Sequence, residues 1–265
     1  PEPIGWTWSE FVTYAKQLTF DRDGDGKIDV YGFGTAANYT YQAVMYAWQA
    51  GGELMGADDR PAFTTDEFNE GIQFYADLFN VHKVVQPGAI NVDLWDVRRQ
   101  LAEGTVAMYI DAGDSAKELQ KILGDTLGVG LLPTNEKTGK FTSYFGSDAL
   151  VIPKQSRNKA EAAKLLEWLV DKDRMTEYCI VSGFLPARLD SAADPHFSDS
   201  PVVSMYLRQL EDAHAWIAHP EANFIARTLR VEIQNAISEN SDIAAALKTA
   251  QELVEKQLKD KGFLK

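Results

Sequence analysis

Cysteine is almost absent from this chain of 265 residues, because Cys179 is the only one. A single thiol cannot form an internal disulfide, and it leaves the redox compartment undetermined. Histidine is scarce as well, and the four residues at positions 82, 196, 214 and 219 match no familiar metal-site spacing. The sequence therefore excludes a disulfide scaffold and argues against a metal site built on histidine or cysteine.

Positive charge is in short supply. The chain has 26 Lys and Arg against 39 Asp and Glu, which gives a net charge of −13 and a pI near 4.8. Binding to nucleic acid or to an anionic membrane surface needs clustered basic residues, so both partners are unexpected. No apolar run approaches the ~20 residues of a membrane-spanning helix, so no direct membrane insertion is expected. The chain begins with Pro1 and lacks a signal peptide, which indicates processing or a fragment.

Familiar catalytic motifs are also missing. The sequence contains no GxSxG, no HExxH and no phosphate-binding Walker loop. Carboxylate pairs are unavoidable in so acidic a chain, so they do not by themselves indicate a glycosidase. We therefore expect a protein that is not an enzyme.

The segment LAEGTVAMYIDAGDSAKE, residues 101–118, is the most informative stretch. Gly104 is placed to end a helix, and residues 106–110 form a short apolar run typical of a buried strand. Ser115 and Glu118 have the spacing of a capping box, which predicts that a new helix begins at Ser115.

Between that strand and that helix lie Asp111, Gly113 and Asp114. Open α/β sheets bind ligands beyond the carboxyl ends of strands, beside helix N-termini. These residues are therefore candidates for one wall of a ligand site. For Asp114, a role as a helix-capping residue is an almost equal alternative.

A second candidate group opens a predicted helix that runs to Gln49. Tyr39 and Tyr41 alternate there with small polar residues. Aromatic faces pack on the C–H faces of sugars, and polar groups bind hydroxyls, so the mixture suits a saccharide site. For each tyrosine taken alone, packing in the core is an equally good interpretation.

The segment DRDGDGKID resembles the first part of an EF-hand loop. Its candidate calcium ligands are Asp21, Asp23, Asp25 and Asp29. Gly32 occupies the position where a bidentate Glu belongs, so we favour a polar turn without a bound ion. No cofactor is expected, and calcium is the one alternative.

Other patterns predict further elements. Thr64 is expected to cap a helix whose Phe68, Ile72 and Tyr75 face the core. Strands are predicted over residues 127–132 and 143–152, the second with Gly146 inside it. The chain from residue 201 onward is expected to be mostly helical, over residues 213–219, 224–237 and 243–259.

The order of several motifs is similar to a known family. These are TWSEFVTYAKQLT, YGFG, AWQAGGELM, FTTDEFNEGIQFYADLF, LAEGTVAMYIDAG, VGLLP, SYFGSDALVIP and NKAEAAKLLEWLVDKDRMTEYCIVSGFLPAR. In this order they resemble the extracellular solute-binding proteins of sugar ABC transporters, the maltose-binding type (solute-binding protein family 1).

The resemblance implies an α/β fold, a lobe like that of the type II periplasmic binding proteins with additional C-terminal helices, and a first lobe that is largely missing. Residues 1–147 would be the second, C-terminal lobe of a two-lobed protein. Residues 148–190 would be a return segment belonging to the first lobe. Residues 191–265 would be helices that pack back on the second lobe.

The resemblance also implies site residues. Asp111, Gly113 and Asp114 match the family's ligand-facing loop, and Tyr39 and Tyr41 match an aromatic helix start. Phe145, Gly146 and Ser147 stand where the family usually has a Gly-Gly-aromatic step. Phe224 and Arg227 lie where a late aromatic often contacts the sugar.

The function so implied is capture of a mono- or oligosaccharide between two lobes and its delivery to the permease subunits of an ABC transporter. The protein would be a periplasmic or extracellular monomer, with a lipoprotein anchor as a variant. The alternatives are a saccharide-acting lyase or glycosidase, and a binding protein for a polyamine or a phosphorylated polyol.

Overall fold

The structure is a computed structural model, and it describes residues 5–264. Two strands, β1 (Ser143–Phe145) and β2 (Ala213–Ala215), pair as a small sheet. No helix in this described part of the chain is both long and apolar enough to cross a membrane. The helices are α1 (Trp8–Gln17), α2 (Thr40–Ala50), α3 (Asp66–Asn80), α4 (Leu94–Ala102), α5 (Gly113–Leu123), α6 (Lys159–Leu169), α7 (Lys172–Ser182), α8 (Leu189–Ala192), α9 (Pro195–Ser198), α10 (Pro201–Gln209), α11 (Ala222–Glu239) and α12 (Ile243–Asp260).

The described chain divides into two compact units. Unit 1 comprises residues 5–110, 132–144 and 212–264, and unit 2 comprises residues 111–131 and 145–211. These units reflect contacts within this chain, whereas the ranges expected from the sequence refer to the lobes of a larger protein. The assignment of segments to lobes stays a prediction.

Helices α2 and α3 pack closely at the centre of unit 1. Every residue of α2 from Gln42 to Ala50 is buried. On α3, a Cβ atom added to Gly71 would lie 2.3 Å from the backbone N and Cα of Ala47, so only glycine permits this approach. Phe68, Ile72 and Tyr75 are buried on the same helix, which confirms the core stripe expected from their spacing. Helices α11 and α12 also pack against α3.

Short parallel bridges supply the extended part of unit 1. They join Tyr31 to Val106, Phe33 to Val85 and Gly34 to Tyr109. Residues 30–34 and the stretch predicted as a strand at residues 106–110 therefore lie side by side. At the end of the second stretch, the Ile110 carbonyl accepts a hydrogen bond from Gln42 Nε2 at 3.3 Å, which links it to α2.

Unit 2 is built from α5 to α10. Gly183 ends α7 in the left-handed conformation with φ of 84°. The Lys117 ammonium on α5 donates hydrogen bonds to the carbonyls of Ile180 and Val181, which lie in the last turn of α7. A cation at that position is favourable because the helix C-terminus carries partial negative charge. Burial raises the pKa of the Cys179 thiol on α7, which favours an inert structural cysteine.

Two helix starts differ from the sequence prediction by one or two residues. Helix α3 is capped by Thr65 rather than Thr64, because the Thr65 side chain accepts from the Phe68 amide. Helix α5 begins at Gly113, and its N-cap is Ala112. The Ser115 hydroxyl donates to the Ala112 carbonyl at 2.7 Å instead of capping the helix. Local hydrogen bonds of short polar side chains decide both cases.

Three expected strands or helices are also wrong. Residues 127–132 form no strand, since the two glycines Gly128 and Gly130 weaken strand formation there. Of residues 143–152 only the first three form β1, where β2 pairs with them. Residues 213–219 do not form a helix, because Ala213–Ala215 extends along β1 as β2.

Candidate functional site

The start of α2 presents the first group of expected site residues, all in unit 1. Tyr39 is the N-cap of α2, and Tyr41 lies in its first turn. Both side chains are only partly buried, and their ring centroids are 5.7 Å apart. The ring of Tyr41 stacks on that of Tyr144, with centroids 4.6 Å apart and planes inclined by 15°.

A tryptophan completes this group. The Trp216 ring meets Tyr144 edge-on at 6.3 Å between centroids, and it meets the buried Trp48 at 6.0 Å. We call Tyr39, Tyr41, Tyr144 and Trp216 the aromatic cluster. Its members are partly buried, so they are held by packing while part of each ring stays accessible. Such rings offer apolar faces beside polar hydroxyl and indole groups, which suits ligands with both C–H faces and hydroxyls.

Two members of the aromatic cluster were not among the expected site residues. Phe145 was the expected site residue in this segment, but neighbouring strand residues point to opposite faces, and Tyr144 is the one that packs on Tyr41. The alternation of side chains along the SYF segment already indicates that Tyr144 and Phe145 lie on opposite faces. Phe145, Gly146 and Ser147 are exposed, and Phe145 retains 44% of its accessible surface. Their role in ligand binding stays a prediction.

Helix α11 lies against the start of α2. The Thr40 hydroxyl donates to the Ala226 carbonyl at 3.0 Å, and Arg230 Nη1 donates to the Asn38 carbonyl at 3.0 Å. The structure thus brings the helix that carries Phe224 and Arg227 to the residues that flank Tyr39. The Arg227 Cζ atom lies 5.9 Å from the centroid of the Phe224 ring.

The second group of expected site residues belongs to unit 2. Asp111 accepts a hydrogen bond from the Ala112 amide at 2.8 Å, and Asp114 lies in the first turn of α5. Gly113 has little free space, since a Cβ there would lie 3.3 Å from the Gly183 carbonyl oxygen. The Tyr206 hydroxyl also donates to the Ala112 carbonyl, at 3.3 Å. Asp111 therefore lies just before the N-cap of α5, whereas Asp114 lies inside the helix, because α5 begins two residues earlier than the sequence predicts.

The acidic loop at residues 21–29 has the expected polar turn. Both Asp21 carboxylate oxygens accept backbone N–H groups, from Gly24 and Gly26, each at 2.7 Å. Asp21, Asp23 and Asp29 have carboxylate oxygens within 4.8 Å of one another. Asp25 lies outside this trio and pairs with Lys27 at 3.2 Å. The turn hydrogen bonds engage the same oxygens that an ion would need.

Hydrogen bonding also affects the pKa of the Asp21 carboxyl. The amide of Gly26, followed by that of Gly24, lowers the pKa of the Asp21 carboxyl because these donors stabilise the ionised form. The carboxylate therefore acts as a structural acceptor that closes the turn.

A comparison with protein families identifies the chain's relatives. A family described as bacterial extracellular solute-binding protein matches residues 1–204. A curated protein of Brucella abortus (strain 2308), named as a binding protein, is 26% identical over 187 residues. The match covers 69% of this chain but only 45% of that relative, so the chain spans about half the length of the curated relative.

Solved structures show the same fold. The maltose/maltodextrin-binding domain of Bdellovibrio bacteriovorus, bound to maltotriose, superposes with a TM-score of 0.84 at 22% identity. The superposition covers 96% of the present chain and 67% of the Bdellovibrio chain. An ABC transporter solute-binding protein of Thermotoga lettingae, bound to α-D-tagatose, superposes with a TM-score of 0.84 at 26% identity. This match covers 95% of the present chain and 64% of the Thermotoga chain.

These similarities confirm the α/β periplasmic-binding-protein fold and the resemblance inferred from the order of motifs. The matching family and the structurally similar proteins are solute-binding proteins. Because the family match covers most of the sequence, the chain belongs to the bacterial extracellular solute-binding protein family.

Proposed function

We propose that the complete protein is the substrate-binding component of an ABC transporter, which captures a carbohydrate and delivers it to permease subunits. The observation that carries this proposal is the aromatic cluster at the start of α2, where Tyr41 stacks on Tyr144 at 4.6 Å. Its partly exposed rings suit the C–H faces of sugar rings. The two similar solved structures hold maltotriose and α-D-tagatose, which share such faces and many hydroxyls.

A second part of the proposal concerns the lobes. We propose that residues 148–190 pack on a first lobe supplied by the rest of the complete protein. In its support, α6 has no buried residue although it carries Leu165, Trp168 and Leu169. These side chains are 56%, 54% and 38% exposed, and apolar surface of this kind usually marks a contact with another body. The solute would then be enclosed between lobes.

The remaining parts of the proposal follow from the family. The protein would act outside the cytoplasmic membrane as a monomer, free or held by a lipoprotein anchor. It would perform no catalysis, since its sequence lacks the nucleophile motifs of hydrolases. It would need no cofactor, and the loop at residues 21–29 would work without calcium.

The test is calorimetric titration of the complete natural protein with a panel of mono- and oligosaccharides that includes maltotriose and tagatose. We expect at least one sugar to bind, with no change in the sugar on prolonged incubation. The 265-residue chain alone, checked for folding by circular dichroism, should bind the same sugar far more weakly. Micromolar binding by the chain alone would contradict enclosure by two lobes, and turnover of a saccharide would identify an enzyme.

A further inference from the structure

The carboxylate of Asp212, the residue directly before β2, holds the segment of chain that enters β1. Its Oδ2 atom accepts a hydrogen bond from the Phe141 amide at 2.8 Å, and its Oδ1 atom accepts one from the Thr142 hydroxyl at 2.9 Å. Hydrogen bonds to a carboxylate are stronger than those between neutral groups. Thr142 is buried, so its bond is shielded from competing water. The two chain segments are therefore firmly joined just before the sheet begins.

A second set of hydrogen bonds connects the same segment to α2. Gln49, a buried residue of α2, donates from Nε2 to the Thr142 carbonyl at 3.0 Å. Its Oε1 atom accepts a hydrogen bond from Trp8 Nε1 at 2.6 Å, which fixes the orientation of the amide. Thr142 is thus bonded through its side chain to Asp212 and through its backbone to the helix that carries Tyr41.

Two members of the aromatic cluster follow these bonds closely in the sequence. Tyr144 comes two residues after Thr142, and Trp216 comes four residues after Asp212. The strands between them, β1 and β2, have three residues each, and so short a two-stranded sheet is not stable by itself. A slip of one residue in their pairing would turn the Tyr144 ring to the opposite face, away from Tyr41. The hydrogen bonds of Asp212 oppose such a slip.

From this arrangement we propose that Asp212 is a positioning residue of the solute site. Its two hydrogen bonds set the register of β1 against β2, and they thereby place the rings of Tyr144 and Trp216 for the solute. Both carboxylate oxygens bind protein donors, so Asp212 acts through these rings and not by direct contact. Its effect on affinity rests on the proposed carbohydrate function, whereas its effect on the rings concerns the protein without solute.

The first test needs no sugar. Near-ultraviolet circular dichroism of the complete natural protein reports on the packing of its aromatic rings. Asp212→Ala should change this spectrum, and the change should largely disappear in a protein that already carries Tyr144→Ala and Trp216→Ala. Asp21→Ala is the matched control, because it also removes a carboxylate that accepts two hydrogen bonds in unit 1. It should leave the near-ultraviolet spectrum unchanged, and far-ultraviolet spectra report on the folding of every variant.

Sugar affinity is the second readout, measured with the tightest-binding sugar of the panel at a temperature well below melting. Asp212→Ala should weaken binding about fivefold or more. In the Tyr144→Ala protein the same change should add at most about a twofold loss, because a ring through which Asp212 acts is already gone. Asp212→Asn should retain most of the affinity, since its amide can accept from Phe141 and donate to the Thr142 hydroxyl. The Asp21→Ala control should bind the sugar normally.

Three results would overturn the inference. One is an unchanged near-ultraviolet spectrum in folded Asp212→Ala, whether or not any sugar binds. Another is a loss of affinity that is equally large with and without Tyr144, because it would indicate direct contact between Asp212 and the solute. The third is a lower melting temperature with unchanged affinity, which would limit Asp212 to stabilising the fold.

Two further outcomes are distinguished by design. If Asp212→Ala does not fold, Thr142→Val removes one of its two hydrogen bonds and should change the spectrum and the affinity in the same directions. If no sugar binds the unaltered protein while Asp212→Ala changes the near-ultraviolet spectrum as expected, the proposed function is contradicted and the positioning of the rings by Asp212 is supported.

Discussion

The phenol rings of Tyr41 and Tyr144 stack with centroids 4.6 Å apart, although they are 103 positions apart in the sequence (144 − 41). The pair joins the start of α2 to β1, and it fixes the centre of the aromatic cluster. Stacked rings of this kind gain roughly 0.5–1.5 kcal/mol beyond the area that they bury. The pair therefore organises the site before any ligand arrives.

The first prediction concerns this pair. Replacement of Tyr41 or Tyr144 by Ala should weaken sugar binding by the complete protein about tenfold or more, because the apolar face for the sugar is lost. Phe at either position keeps the ring and should retain most of the affinity. Calorimetry with the tightest-binding sugar of the panel measures both effects.

A matched control separates the site from general stability. Tyr14→Ala removes a partly exposed tyrosine that packs on Trp6, away from the aromatic cluster. It should change the melting temperature without changing sugar affinity. An equal loss of affinity in the Tyr14 and Tyr41 variants would speak against a role of the aromatic cluster in binding.

Asp111 and Asp114 carry the second prediction, which is that they accept hydrogen bonds from solute hydroxyls. Removing such an acceptor leaves a hydroxyl unpaired at a cost of about 1–3 kcal/mol. Asp111→Ala and Asp114→Ala should therefore lower the affinity of the complete protein by roughly tenfold or more, while the melting temperature without ligand stays constant. If melting falls and affinity holds, the two carboxylates support the loop instead.

The third prediction concerns the acidic loop. Because the folded state lowers the pKa of Asp21, its contribution to stability is present above the unfolded pKa and is lost as pH falls through the lower folded value. Asp21→Asn should lower the melting temperature at neutral pH and flatten the acid dependence below about pH 4. Thermal melts of both forms across that range measure the difference.

Calcium provides the second measurement on this loop. Millimolar CaCl₂ should change the melting temperature no more than MgCl₂ does. The backbone amides of the turn already donate to Asp21, and the bidentate ligand that would close a calcium site is missing. A rise with CaCl₂ alone that disappears in Asp21→Asn would identify a calcium site.

His82 gives the fourth prediction, on pH dependence. Burial, with a contribution from the nearby Lys16 charge, lowers the pKa of His82 below its usual 6.5. Near that pKa the folded state therefore binds fewer protons than the unfolded state. The contribution of His82 to the free energy of unfolding is present above about pH 6.5, and it is lost as pH falls through the pKa of the folded state. His82→Gln should reduce the loss of stability on acidification in that window. The exposed His196→Gln should leave it unchanged.

Local features of the fold were predictable because short sequences determine them. Thr7 and Glu10, three residues apart, form a capping box at the start of α1, and the buried Phe68, Ile72 and Tyr75 follow the helical period. These features depend on residues three or four apart, which any window of sequence displays.

Other features depend on partners that are distant in the sequence. Ala213–Ala215 is a strand only because β1 lies beside it, so a helical pattern there was overridden by tertiary pairing. The site member Tyr144 was missed in favour of Phe145 for a similar reason, since one step in strand register exchanges the two faces. The hydrogen bond from Arg230 to the Asn38 carbonyl could not be found from sequence, because it joins residues 192 positions apart.

The most direct test of solute capture is native mass spectrometry of the complete protein, purified without denaturation and then analysed for what it releases. We predict one mono- or oligosaccharide bound per protein molecule, and its loss from the variant with Tyr41→Ala and Tyr144→Ala. A released polyamine, amino acid or peptide in place of a carbohydrate would contradict the account.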